Sequence, residues 1–307
     1  MRRAFPPQRA RRGTSLGPSQ SRGRQRPSKR TAHRSSVHQD PRASRRYRSG
    51  TWAADLLREL NAEARPTSFD LRSYLGSPLP VLGVPAAGFR KIVRAFEARY
   101  RPVARKDLYR LVRLLWDGST FDERALAIQL LDRHARELDS AAWKLLDRWV
   151  DDATGWGLCD GLAAGPIAAL VASDRARVRS LLDWTRSRNP WRRRAALYAL
   201  NRIVRAGGLR TALRVIGRLR EDPEFWVQRA VGTWLRECWK HDPPRVRAYL
   251  TRYAGTLPPL SLTVATERET KAYRAWLRAK ARAVRKDPPE PRARSRTPTL
   301  RRDSPQM

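Results

Sequence analysis

Several things are scarce in this 307-residue chain, and each scarcity removes a class of function. There are two cysteines, Cys159 and Cys238, in no CxxC arrangement. A disulfide framework is excluded, and a reducing, cytoplasmic setting is expected. Four histidines (His33, His38, His134, His241) fall in no metal-ligand spacing, so no metal and no cofactor are expected. No apolar run approaches the 18 residues that a spanning helix needs, the best lying around 167–172, so no membrane span is expected. No secretory signal opens the chain. There is no P-loop, GxGxxG, HExxH or GxSxG, and neither cysteine has a convincing histidine partner. No alternating, β-branched run asks for a strand. What remains is electrostatic and aromatic chemistry, or binding alone.

Acids are scarce too: 29 Asp and Glu stand against 65 Lys and Arg, for a net charge of +36. Arginine supplies 57 of the bases and lysine eight. A GC-rich genome gives arginine for lysine, but it does not explain the missing acids. Such a charge favours polyanions, nucleic acid first and an anionic membrane surface second. Residues 1–50 hold 15 bases and one acid, and residues 280–307 hold nine bases and three acids. The remaining middle still carries +16, so the basic character belongs to the folded part as well as to the ends.

Residues 1–50 have few apolar side chains and are expected to be a disordered, Arg-rich arm. Their acid-poor composition also fits an organelle transit peptide or a misassigned start codon. Residues 286–307 turn to Pro, Arg, Ser and Thr and read as a tail. Between them, 51–285 reads as one helical domain. It starts with Thr51 as N-cap and a stripe of Trp52, Leu56, Leu57 and Leu60. Further helices are expected over 69–75, 86–100, 106–116, 120–138, 140–151, 155–172, 175–187, 191–206, 209–219, 225–240, 245–253 and 268–284. Thr120 and Glu123 have capping-box spacing, and Pro190 stands where a helix start favours proline. The fold class is all-α, a bundle or an α-solenoid. The spacing of helix pairs, roughly 35–45 residues, is that of HEAT-like repeats. Most of the 11 tryptophans fit core positions at helical spacing.

Three stretches can carry chemistry. In DDATGWGLCDGLAAG (151–165), Trp156 and Asp160 are four residues apart and share a helix face. An aromatic face beside a carboxylate suits a cation. The plainer reading packs Trp156 in the core and pairs Asp160 with an arginine. In Pro190-Trp191-Arg192-Arg193-Arg194, arginines at a helix start can hold backbone phosphates, or form a solvated basic face. In the 228–237 stretch, Trp234 and Arg236 can line a groove, but spacing alone favours a structural Arg236–Glu237 pair.

Together these stretches resemble the AlkD-like DNA alkylation-repair glycosylases, which are built from HEAT-like repeats. The likeness covers roughly 52–280. Gly83-Val84-Pro85 with Arg90 is similar to that family's GVP…R segment, and Trp156…Asp160 to its W-x-x-x-D segment. Trp191-Arg192-Arg193-Arg194-Ala195 is similar to W-x-x-R-x-A, and 228–237 to a KAIGWALRE-like segment, with Leu260-Ser261 and Arg268-Glu269 following. The resemblance implies that Asp160 is the catalytic carboxylate, that Trp156 lies against the lesion's sugar, and that Arg194 holds the DNA backbone. Trp191, Arg193, Arg229, Trp234 and Arg236 are the further DNA-binding candidates. One departure stands out: Thr233 occupies the column of the family's second tryptophan, and Trp234 is one residue, about 100° of rotation, away.

The expected function is therefore hydrolysis of the N-glycosidic bond of cationic N3- or N7-alkylated purines in duplex DNA. The expected protein is a cytoplasmic monomer associated with the nucleoid through DNA. The alternative is a non-catalytic HEAT-like protein that binds damaged or branched DNA; a protein scaffold fits the basic helices less well. Convergence of Trp156, Asp160 and Arg194 on one basic surface favours catalysis. Burial of Asp160 against an arginine favours binding alone.

Overall fold

The computed structural model describes residues 41–286, and every described regular element is helical. Helix α1 (Pro41–Glu63) starts ten residues ahead of the expected Thr51, which lies inside it, and Ser49 is already buried. The boundary expected at residue 50 therefore falls within a helix. The rest of the expected arm and nearly all of the expected tail lie outside the described residues. Trp52, Leu56 and Leu60 form the buried stripe of α1, as their spacing predicts.

The following helices are α2 (Leu71–Leu75), α3 (Ala86–Tyr100), α4 (Arg105–Trp116), α5 (Phe121–Arg133) and α6 (Ser140–Asp152). The capping box at the start of α5 is formed, with Glu123 N–H donating to Thr120 Oγ1 (3.2 Å) and Thr120 N–H to Glu123 Oε2 (2.7 Å). Asp122, in the first turn of α5, is buried and accepts from the Leu82 N–H (2.6 Å) and the Val84 N–H (2.9 Å). That carboxylate ties the Gly-Val-Pro bend down onto α5.

The stretch expected as one helix over 155–172 is α7 (Trp156–Leu162), a π-helical turn (Ala163–Ile167) and α8 (Ala168–Ser173). Pro166 lies in the π turn, where the wider winding accommodates a residue with no N–H to donate. Contrary to the reading from apolar runs, this continuous 18-residue stretch is long and apolar enough to span a bilayer, with mean hydropathy 1.3. It is 56% buried within the fold and carries Asp160, so it is a core helix of this domain.

The chain continues through α9 (Val178–Trp184), α10 (Pro190–Tyr198), α11 (Asn201–Arg205), α12 (Leu209–Leu219), α13 (Phe225–Trp239), α14 (Pro243–Arg252), α15 (Pro259–Ala265) and α16 (Lys271–Lys286). The helix expected over 191–206 is broken after Tyr198, and α15 is one that periodicity did not indicate. Pro190 is at the first turn of α10, and the Asn189 side chain caps it by accepting from the Trp191 N–H.

The helices stack in two rows. In one, α3, α5, α7, α10, α13 and α15 each pack on the next. In the other, α4, α6, α9, α12 and α14 back them, with α4 on α5, α6 on α7, α9 on α10, and α12 and α14 on α13. This is a helical-hairpin repeat, the architecture expected from the sequence. The core runs between the rows. Trp116 stacks on Trp149 (4.3 Å between centroids) within it, and Trp143 on Trp184 (5.6 Å).

Candidate active site and nucleic-acid interface

The site row brings α7, α10 and α13 side by side. The cavity between them has a volume of about 370 Å³. Its lining includes Trp156, Asp160, Arg194, Tyr198, Trp226 and Arg229. Tyr74, Phe225 and Thr233 complete it.

Local sequence explains how Trp156 reaches this cavity. Gly155, just before α7, has φ +87°, and a Cβ there would sit 2.4 Å from the Gly76 carbonyl oxygen. Only glycine lets the start of α7 approach the end of α2 this closely. The approach brings Tyr74 against Trp156, edge to face at 5.1 Å, and Trp156 Nε1–H donates to the Tyr74 carbonyl (2.5 Å). Gly155→Ala is expected to lower the unfolding free energy by about 1–3 kcal/mol, through strained backbone and a blocked contact. A urea titration measures it.

Asp160 lies one turn after Trp156, on the same face, as its spacing predicts. Arg194 meets its carboxylate with two parallel bonds, Nε to Oδ1 and Nη2 to Oδ2, each 2.7 Å. The Asp160 side chain is 16% exposed, towards the cavity, and that of Arg194 5%. Arg194 also donates from Nη2 to the Tyr198 hydroxyl (3.0 Å) and from Nη1 to the Trp226 carbonyl. A guanidinium has five N–H donors, so these contacts leave one on Nη1. Its carbon lies 4.7 Å from the Tyr198 ring centre and 5.8 Å from that of Trp226.

Burial pushes the Asp160 carboxyl above the usual carboxylate range, against the opposing pull of the Arg194 bonds and charge and of the Tyr198 hydroxyl. Burial likewise pushes the Tyr198 phenol up, so it stays neutral. Cys159, next in sequence, is buried, its thiol pushed up by burial and by the Asp160 charge. It is an inert core residue.

The other candidates separate. Successive residues on a helix turn by about 100°, so the three arginines of α10 point to three neighbours. Arg192 binds Asp147 and Asp151, at 2.7 Å each. Arg193 binds Asp222 (2.7 Å) and the Ser187 carbonyl (2.8 Å). The expected role of Arg193 on DNA is therefore corrected: it is a half-buried clamp that fixes α10 to the segment before α13. Trp191 is half-buried against the core, 6.0 Å from the Trp226 ring, and does not line the cavity. Trp234 is corrected too. It is 5% exposed and packs edge to face on Tyr198 at 5.6 Å, behind the cavity wall. Arg236 pairs with Glu267, not with Glu237 or the cavity, and Glu237 bonds Lys240 instead. Arg229 is exposed and lines the cavity.

Thr233 faces the cavity, as the resemblance implies for its column. The missing ring comes from elsewhere on α13. Trp226, Arg229 and Thr233 stand at i, i+3 and i+7, one helix face, and all three line the cavity. Sequence reading missed Tyr74, Tyr198, Phe225 and Trp226. Tyr198, four residues after Arg194, and Phe225 and Trp226, four and three before Arg229, had helical spacings that pointed to them; Tyr74 had none.

A family model described as DNA alkylation repair enzyme matches residues 56–268, which is most of the chain. The chain belongs to the DNA alkylation repair enzyme family. Two solved structures share its fold. One is a predicted DNA alkylation repair enzyme from Enterococcus faecalis, with TM-score 0.58 and 17% identity, covering 66% of this chain and 93% of that one. The other is AlkD2 from Streptococcus mutans, with TM-score 0.54 and 17% identity, covering 71% of this chain and 98% of that one. A search of curated protein sequences finds no match. Family membership makes DNA the partner and ties the chain to repair of alkylated DNA.

Proposed function

We propose that the protein is a DNA glycosylase that hydrolyses the N-glycosidic bond of cationic N3- or N7-alkylpurines in duplex DNA. The observation that carries this reading is the convergence of Trp156, Asp160 and Arg194 on one cavity whose other walls, Thr233 apart, are aromatic or cationic.

The chemistry needs little from the protein. An alkylpurine cation leaves as a neutral base, so it requires no general acid, unlike ordinary glycosides. As the bond from C1′ to the purine nitrogen breaks, its electron pair neutralises the base and positive charge moves to the deoxyribose. The Asp160 carboxylate stabilises that charge. Trp156 adds cation–π attraction of about 0.5–2 kcal/mol. A water attacks C1′ and loses a proton, leaving an abasic site.

Arg194 bears on this reading in two ways. A carboxylate offers about four lone-pair sites; the guanidinium takes two and the Tyr198 hydroxyl a third, so Asp160 keeps about one acceptor for a water or a sugar. The remaining Nη1–H of Arg194 can take a backbone phosphate without leaving Asp160. The pairing also mutes the Asp160 field, and that favours the second reading, a non-catalytic protein that binds damaged or branched DNA. Incubation with methylated duplex DNA separates them. The first reading expects free alkylpurine above the spontaneous rate, and the second expects binding with none.

A pH profile adds a sign. The reaction uses the ionised carboxylate, and burial raises the pKa of Asp160. Base release should therefore fall as pH drops, with its midpoint above the ordinary aspartate value of about 3.9. The limb should be missing from the residual activity of Asp160→Asn. Proposed with this reading is a monomeric, cytoplasmic protein.

A further inference from the structure

A second basic feature lies on the backing row. Arg175, Arg179 and Arg214, with Val178, Leu182 and Thr211 among their neighbours, line a cleft of about 570 Å³ between α9 and α12. All three arginines are exposed. Arg175 and Arg179 are four residues apart. Arg214 is the centre of an exposed series on α12, Arg210, Arg214 and Arg218, also spaced by four. The nearby acids are engaged elsewhere, Asp174 with Arg177 (3.6 Å) and Asp183 with Arg186 (3.8 Å). None of the five arginines is in an ion pair among the described residues.

This contrasts with α10, whose three consecutive arginines all have carboxylate partners. Like charges at i and i+4 repel one another along a helix. Arg179 of α9, Arg175 in the 3-10 turn just before it and Arg214 at the centre of the α12 row line one cleft, because α9 and α12 pack together. An external polyanion relieves that repulsion. From Arg210 to Arg218 the row is about 12 Å long at 1.5 Å per residue, longer than one phosphate. No aromatic side chain lines the cleft, so nothing there stacks on a base. Guanidinium forks match phosphate oxygens.

We infer that the α9–α12 cleft holds the phosphodiester backbone of a second nucleic-acid segment, while the Asp160 cavity faces the first. The cleft belongs to the backing row and the cavity to the site row, so the protein bridges two DNA segments. Binding at the cleft is independent of sequence and of lesions.

The test uses the full chain and two short unmodified duplexes carrying different fluorophores. Energy transfer between them reports bridging. Wild type is expected to bridge, and Arg179→Glu/Arg214→Glu to require at least about tenfold more DNA for the second step. The salt slope of that step should fall by about 1.8, from two lost phosphate contacts at about 0.9 each. First-duplex binding, base release and the urea midpoint should stay as in wild type. Three results overturn the inference. Wild type holds only one duplex. The double variant bridges as wild type does, which assigns bridging to the terminal segments. Or the cleft arginines are needed for binding inorganic polyphosphate or anionic vesicles, while no second duplex is held.

Discussion

Arg194→Ala is expected to destabilise the protein by about 3–5 kcal/mol, the cost of leaving one member of a buried ion pair alone. The side chain makes two bonds to Asp160, one to Tyr198 and one to the Trp226 carbonyl, which joins α10 to both α7 and α13. Its loss leaves a nearly buried carboxylate with no cation and takes from the Trp226 carbonyl the donor it has besides its own helix. Domains of this kind are stable by about 5–15 kcal/mol, so the loss is a large fraction of the total. The Asp160 carboxyl, already raised by burial, should rise further once the guanidinium that opposes the rise is gone. Urea unfolding gives the first effect. A shift of the acid limb of base release to higher pH gives the second. Arg194→Lys should recover only part of either, because an ammonium cannot repeat the two-pronged contact.

The second large effect falls on rate. Asp160→Asn keeps the shape and removes the charge, and losing a pre-placed electrostatic group typically costs on the order of 10²–10³ in rate. DNA affinity should be unchanged or tighter, since a negative charge is removed from the surface proposed to receive phosphates. An amide still offers Arg194 one oxygen, so the loss of stability should be smaller than for Arg194→Ala. A variant that is folded, bound and slow separates catalysis from binding; a variant that is merely unfolded does not.

Local relations were legible in the sequence, and distant ones were not. Trp156 and Asp160 share a face because they are one helical turn apart, and the α5 capping box is formed because its spacing dictates it. The second wall of the cavity is different. Tyr74 arrives from a five-residue helix that only the Gly76–Gly155 approach brings near. Trp226 and Phe225 sit a full seven residues or more before the column in which a ring was expected. Arg193 illustrates the same limit. Asp222, its partner, is remote in sequence, and no local pattern tells a guanidinium on phosphate from one on a distant carboxylate. Ser49, inside α1, is buried although the flanking composition is polar. The apolar length of 156–173 emerged only once the π turn carried the helix through Pro166.

These particulars bear on function. From sequence alone, an Asp160 paired with an arginine and an Asp160 facing the lesion are alternatives. In the structure the pairing and the exposure to the cavity coexist, because Arg194 covers one side of the carboxylate and the cavity reaches another. The central claim is that this residual face of Asp160 does chemistry. The direct measurement is single-turnover release of free alkylpurine from methylated duplex DNA, enzyme in excess, for wild type and Asp160→Asn at matched DNA occupancy. The account predicts release by wild type and a rate lower by about 10²–10³ in the variant. Equal rates in the two proteins, or no release above the spontaneous rate by wild type, would contradict it.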